Sequence, residues 1–312
     1  MSGAKNISQK VNHFRLKLDE DELLPENKTC FFCGHTERNP VFVLQDKPLI
    51  RLLECTRCRA ASASRMPREE TLARYYRDYY PKDETKKNIR VTFKQVGRFS
   101  NHLYKLIAPG FSQVENLQIL DYGGGDGSVA ASLAGKMIAG GLAKNATITV
   151  VDYVEELTAA TGSISLKRVD PGTPFPENTF HIIIASAIIE HIPEGGDVVR
   201  SLFSILKPGG FFYARTPWAL PMAGFSRLLG KKWNFFFPAH VHDLGKTCWE
   251  YSAKNAAAGM TIIRSKPSIV ESSFKTRFLV TTAAYLFKAP WYLFPGTYKL
   301  VGGWEIVLRK NT

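Results

Sequence analysis

The sequence has no apolar run approaching the roughly 20 residues that a bilayer-spanning helix requires, which argues against a helical integral membrane protein. Its opening stretch, MSGAKNISQKVNHFRLKLDEDELL, lacks both a continuous apolar core and a small-residue cleavage pattern, so a cytoplasmic location is expected. Neither an internal repeat nor a low-complexity tract is present, which excludes solenoid and fibrous architectures. Cysteine is scarce and odd in number, at five, so the chain is no disulfide scaffold. Acidic residues are also in short supply: 41 Lys and Arg face 28 Asp and Glu, a formal charge of +13. The excess sits in residues 1–110 and 216–312, whereas 111–215 is acidic. A basic periphery suits nucleic acid, an anionic membrane surface or a phosphorylated small molecule, and charge alone does not choose among them. What the chain does have is an ordinary globular balance, 45% hydrophobic and 22% charged over 312 residues, enough for one large domain or two modest ones.

Four of the five cysteines form two hooks, Cys30-Phe31-Phe32-Cys33 and Cys55-Thr56-Arg57-Cys58. Two thiolates three positions apart at a tight turn occupy two corners of a tetrahedron, and Gly34 permits the first turn. The spacing predicts a zinc ribbon with Cys30, Cys33, Cys55 and Cys58 as ligands; a redox disulfide pair and an iron centre are the alternatives. Four sulfur ligands leave no corner for water, so the zinc is expected to be structural. Cys248 stands apart and reads as a buried or incidental thiol.

These features divide the chain into an N-terminal segment (1–27), a ribbon (28–65), a helical connector and possible active-site cap (66–110), and a large domain (111–312) with a helical, substrate-side insertion around 217–300. In the connector, TLARYYRDYY predicts a helix that ends at Pro81, and its Tyr75, Tyr76, Tyr79 and Tyr80 suit packing, a ligand lid or base stacking. Apolar residues recur at helical intervals from Val91 to Ile107, and Pro109-Gly110 stops the pattern.

The large domain opens with a short apolar strand, Leu117–Leu120, the loop Asp121-Tyr122-Gly123-Gly124-Gly125-Asp126-Gly127-Ser128, and a helical stretch from Val129 to Met137. Strand, glycine loop and helix form the first unit of a doubly wound sheet, where glycines let the backbone approach a ligand. A second strand, Ala146–Val151, ends at Asp152, an acid placed to hold ribose hydroxyls. A nicotinamide fingerprint would need glycine at Ser128, so the dinucleotide pattern fails there and the form D-x-G-x-G-x-G fits better.

From this loop onward the chain resembles the class I S-adenosylmethionine-dependent methyltransferases. Asp121–Gly127 resembles their first motif and Asp152 the second. Arg168-Val169-Asp170 with Pro174–Phe180 resembles the third. His181–Ala187 with Ile188-Ile189-Glu190-His191-Ile192 resembles the fourth strand and its continuation, and Leu206–Gly210 resembles the turn before a fifth strand, Phe211–Arg215. His181 departs from the family, which usually has an acid there. The resemblance implies an α/β fold, a Rossmann-like, mostly parallel sheet with helices on both faces and an antiparallel last hairpin, here preceded by the small ribbon domain. It implies S-adenosylmethionine as cofactor, with Asp121, Gly123, Gly125 and Gly127 along its methionine part. Asp152 would then take the ribose, Tyr153 and Asp170 would lie at the adenine, and Ser186 would also line the site.

Methyl transfer to a hydroxyl needs a proton acceptor, and histidine suits that task near neutrality. The candidates are His191, just past the fourth strand, and His240 and His242 in Phe237-Pro238-Ala239-His240-Val241-His242-Asp243. Residues two apart on an extended segment face opposite sides, so one of the last pair is expected to face the site as general base, with His191 positioning substrate or cofactor. A ribbon before such a domain is similar to small-molecule methyltransferases of sugar, nucleotide-sugar, polysaccharide and natural-product pathways, which implies an anionic or glycosyl acceptor. Ser186-Ala187-Ile188-Ile189 is not the Asn-Pro-Pro-Tyr type of sequence used on amino groups, which favours oxygen or carbon. The alternatives are an RNA methyltransferase that uses the basic flanks and a non-catalytic zinc-ribbon binding protein with a vestigial cofactor site. Finally, Ser272–Pro295 is apolar with interspersed cations and reads as an amphipathic helix that packs on the sheet or contacts a membrane peripherally, and Glu305–Arg309 reads as a final strand.

Overall fold

The computed structural model describes residues 16–79, 95–153, 156–159, 162–228, 230, 235–257, 259–269 and 278–312. Along the chain come β1 (Arg38–Gln45), β2 (Ile50–Cys55), β3 (Ala61–Ala63), α1 (Glu69–Tyr79), α2 (Val96–Ile107), β4 (Val114–Tyr122) and α3 (Ser128–Ala139). There follow β5 (Ala143–Val151), β6 (Ile164–Val169), β7 (Phe180–Ser186), α4 (Gly195–Ile205), β8 (Leu206–Trp218) and α5 (Leu220–Leu228). The last elements are β9 (His242–Asp243), α6 (Lys246–Lys254), β10 (Met260–Pro267), α7 (Phe278–Lys288), α8 (Pro290–Leu293) and β11 (Gly302–Lys310).

Seven strands form the main sheet in the order β10-β11-β8-β7-β4-β5-β6. The run from β8 to β6 is parallel, and β11 is antiparallel to both β8 and β10. Alternation along each central strand sends side chains to two separate cores. Ile119, Ile182, Ile184 and Tyr213 meet Phe99 and Leu103 of α2 and Leu133 and Met137 of α3. Their neighbours Leu120, Ile183 and Phe212 face the other way, toward Leu202 and Phe203 of α4 and Trp249 of α6. The near-continuous apolar run of β7, Ile182–Ala185, is therefore the signature of a strand covered on both faces. The buried Lys310 donates to the carbonyls of Phe203, Ser204 and Leu206, which fastens the C-terminal hairpin to the end of α4.

Two expectations shift in detail. Leu206–Gly210, expected as a turn, is continuous with β8, and the irregularity appears as a shift in register against β7 between Phe180 and Ile182. The single helix expected over Ser272–Pro295 is two, α7 and α8, because Pro290 lacks the N–H that would continue the first. The start of that stretch, the Val91 end of the connector helix, and Tyr80 lie outside the described residues.

The second sheet, β1-β2-β3-β9, is antiparallel and carries the cysteine hooks at its end. Its fourth strand is supplied by the large domain, with Ala61 opposite Asp243 and Ser62 opposite His242. The first hook also rests directly on α4. Arg200 Nη1 donates to Phe32 O at 3.3 Å, and a Cβ on Gly196 would lie 2.0 Å from Phe31 O, so only glycine admits this approach.

Candidate active site and metal centre

At the carboxyl end of β4 the chain turns through Gly123, Gly125 and Gly127 with φ of 72°, 57° and 72°, left-handed conformations that L side chains rarely adopt. Gly127 is the N-cap of α3, so the loop delivers backbone N–H groups and a helix start to the crevice beside the sheet. Asp152, just past β5, accepts the Gly125 N–H at 2.8 Å and ties the two strand ends together. Gly124, which the motif leaves unspecified, is also constrained: its Cβ would lie 2.3 Å from Asp121 Cγ.

Asp121 is 3% exposed, and its Oδ2 is buried without a hydrogen-bond partner. Burial, and secondly the charge of Asp152, push its carboxyl up to about 7. An ammonium brought against Oδ2 would relieve that cost, so the pocket fits the amine of a methionine-type ligand. Tyr153 is 72% exposed at the mouth of the crevice, as a group that covers a ring would be. Asp170, exposed at the end of β6, pairs with Arg168 Nη1 at 2.8 Å, and the same nitrogen donates to Asp152 O at 3.0 Å. Ser186 ends β7, and Ile188 just beyond packs so closely on Gly123 that a Cβ there would lie 2.6 Å from Ile188 Cγ1. His181, where the family usually has an acid, accepts the Gln118 N–H through Nδ1 at 2.9 Å and lies away from this crevice at the start of β7.

The three histidines separate into two environments. His191 and His240 stand with ring centroids 4.7 Å apart and planes at 81°, and Tyr76 Oη reaches His191 Nδ1 at 3.0 Å. The Val241 N–H to Glu190 O bond, 2.9 Å, holds the two segments side by side. His242 is a correction to the list of possible bases. It is fully buried, Nε2 donates to the carbonyls of Ile192 (2.9 Å) and Pro193 (3.1 Å), and Nδ1 is 2.8 Å from Ser62 Oγ. Burial pushes it down to about 4, so it stays neutral with both nitrogens committed. Phe31 and Phe32 flank its ring at 5.5 and 5.1 Å, which makes His242 a joint between the ribbon and the large domain.

The cysteines converge. Cys30 and Cys58 sulfurs are 3.5 Å apart, as are those of Cys33 and Cys55, and all four lie within 4.8 Å of one another with no disulfide. Each hook closes alike: Gly34 N donates to Cys30 O at 2.9 Å and Arg59 N to Cys55 O at 3.1 Å, with φ of 69° and 63°. A tetrahedral zinc with Zn–S of about 2.3 Å needs sulfurs about 3.8 Å apart, so the donor set fits a closed structural site. Cys248, read as a buried or incidental thiol, is buried and lies in the same cluster as Cys58. No sequence signal could have placed it there, since α6 reaches the hooks only through the packing of the fold. Tyr76 at His191 was foreseeable only as one of several connector aromatics. Of the others, Tyr75 is buried, and the side chain of Tyr79 lies outside the described residues.

A parallel sheet with an antiparallel last hairpin, a glycine loop after its first strand and an acid after its second define the class I methyltransferase architecture. A methyltransferase-domain family profile matches residues 68–257, and the chain belongs to that family. Two ubiquinone biosynthesis O-methyltransferases are similar to it. That of Paramagnetospirillum magneticum is 27% identical over 47% of this chain and 61% of its own length, and that of Pseudomonas fluorescens is 25% identical over 46% and 65%. The chain thus spans under two thirds of either relative. A solved S-adenosylmethionine-dependent methyltransferase from Mesorhizobium loti matches with a TM-score of 0.43 at 14% identity, covering 66% of this chain and 97% of its own. S-adenosylmethionine is the cofactor expected of this family, and the residues at the loop fit it.

Proposed function

We propose that this protein transfers a methyl group from S-adenosylmethionine to a hydroxyl of a small-molecule acceptor, with His240 as the proton acceptor. The observation that carries the reading is the His191–His240 pair, which lies just past β7 on the carboxyl edge of the sheet that also bears the glycine loop. Oxygen as the acceptor atom is supported by the names of the two relatives, both O-methyltransferases.

When bound, the cofactor supplies a methyl carbon activated by its sulfonium. Asp121 with Gly123, Gly125 and Gly127 would hold its methionine part, Asp152 its ribose hydroxyls, and Tyr153 and Asp170 its adenine. The protein's remaining work is to align a nucleophile and take its proton. Tyr76 fixes the His191 ring through Nδ1, and His191 in turn limits the orientations open to His240. A cavity of about 590 Å³ at the carboxyl end of β8, where Trp218, Trp291 and Tyr298 stand among Arg59, Lys246 and Lys299, has the chemistry for a glycosyl or phosphorylated part of an acceptor, although neither the histidine pair nor the glycine loop lines it. Indole faces suit sugar C–H groups and the cations suit phosphate.

The test is transfer of labelled methyl from S-adenosylmethionine to a panel of sugar phosphates, nucleotide-sugars and phenols, with the linkage read by NMR. Label on oxygen of one acceptor, lost in His240→Ala, supports the proposal. Label on nitrogen or RNA, or cofactor binding with no turnover on any acceptor, overturns it.

A further inference from the structure

Helices α7 and α8 present their apolar side chains outward. In α7 only Thr281 is buried, while Leu279 and Leu286 are 80% and 67% exposed; in α8 Leu293 is 76% exposed and Phe294, just after it, 60%. Trp291 turns inward, 5.6 Å from the buried Trp304, and with the Lys288 Nζ to Ser268 O hydrogen bond, 2.7 Å, pins the pair to the end of the sheet. A surface helix that packed on its own domain would show the opposite pattern, with its large apolar residues covered. Monomeric proteins rarely expose so continuous an apolar face without a partner for it.

Two properties identify the partner. From Ser272 to Trp304 the sequence contains no Asp or Glu, only Lys275, Arg277, Lys288 and Lys299. A second copy would set these cations against one another, whereas an anionic lipid surface complements them. The geometry is interfacial: α7 has 11 residues, about 16 Å at 1.5 Å each, too short to span a bilayer, and no helix among the described residues is long and apolar enough to cross one. Tyr292, 60% exposed, adds a ring suited to the headgroup level.

We infer that α7 and α8 dock the protein on the surface of an anionic lipid bilayer, with Leu279, Leu286 and Leu293 entering the acyl boundary and the net positive charge of the segment drawing it to the headgroups. The inference does not depend on which acceptor is methylated, although Trp291 of α8 also borders the cavity at the end of β8.

The experiment is co-sedimentation of the full-length, zinc-loaded protein with vesicles of phosphatidylcholine alone or with about one third phosphatidylglycerol, beside Leu279→Ser/Leu286→Ser/Leu293→Ser. The three positions are exposed, so the variant's fold is checked by circular dichroism and melting. The expected result is binding to the anionic vesicles, weaker binding to neutral ones, and a loss of at least about tenfold in the variant, as removal of several inserted apolar side chains requires. Three results would overturn the proposal. They are wild-type protein remaining in the supernatant with both vesicles, equal binding by the variant, or a concentration-dependent dimer in sedimentation equilibrium that the variant abolishes while vesicle binding is absent.

Discussion

Two residues apart in sequence, His240 and His242 answer to opposite demands. His240 packs against the imidazole of His191, while His242 is spent on hydrogen bonds that join the small sheet to the loop after β7. His240→Ala is therefore expected to lower kcat by about 10²- to 10⁴-fold with an unchanged melting temperature. His242→Ala is expected to cost about 2 to 4 kcal/mol of stability, because it opens a cavity and strands Ser62 and two buried carbonyls. Steady-state kinetics and denaturant unfolding on the same pair of variants check both. Asp121 carries the pH dependence. Its folded value of about 7 lies above the ordinary carboxyl value of about 3.9, so between them the folded chain keeps a proton that the unfolded chain has lost. The unliganded protein accordingly loses stability as pH rises from about 4 to about 7; Asp243, raised to about 7 by burial, adds to this. His242, held near 4, acts in the other direction and removes stability as pH falls from about 6.5 to 4. A ligand amine needs Asp121 ionised, so S-adenosylmethionine is expected to bind about tenfold more weakly at pH 6 than at pH 8. Calorimetry across that range should show a slope that Asp121→Asn abolishes.

Among the elements, α4 is the one whose sequence records a contact that its own periodicity does not explain. Gly195 and Gly196 open it, and a glycine pair is a poor way to begin a helix. The reason is the first cysteine hook: a Gly196 Cβ would meet Phe31 O at 2.0 Å and Phe31 C at 2.8 Å, backbone atoms that cannot rotate away. Gly196→Ala is expected to lower stability by about 1 to 3 kcal/mol and to loosen zinc retention. Gly224→Ala in α5, where nothing lies within 4 Å of the new Cβ, is expected to be neutral or slightly stabilising. Urea midpoints and zinc content of the two variants check the contrast.

At the scale of the whole molecule the cysteine hooks are tied to the large domain at β9, α4 and α6. Cys30, Cys55 and Cys58 share one buried cluster with Phe212, Trp249 and Trp304, and β9, beginning two residues after His240, completes the small sheet. Removal of zinc by a chelator under reducing conditions is expected to lower kcat at least about tenfold while changing cofactor affinity less than about threefold, because the glycine loop is anchored on other strands. Parallel measurement of turnover and calorimetric binding before and after chelation decides this, and restoration by added zinc excludes simple denaturation.

The parts of this protein legible in its sequence are those built from neighbours in the chain. The two cysteine hooks, the D-x-G-x-G-x-G loop and the strand-loop-helix unit each obey rules of local spacing, because a turn, a helix start and a pair of metal ligands are made within a few residues. Alternation predicts that His240 and His242 point to opposite sides. Which of them is buried was decided only when β9 paired with β3 and set His242 against Ser62, a contact between distant parts of the chain. The same holds for Tyr76 on His191, for Cys248 beside Cys58 and for the outward turn of α7. Each depends on which elements the collapse of two cores brings together, and a linear pattern of residues carries no record of that.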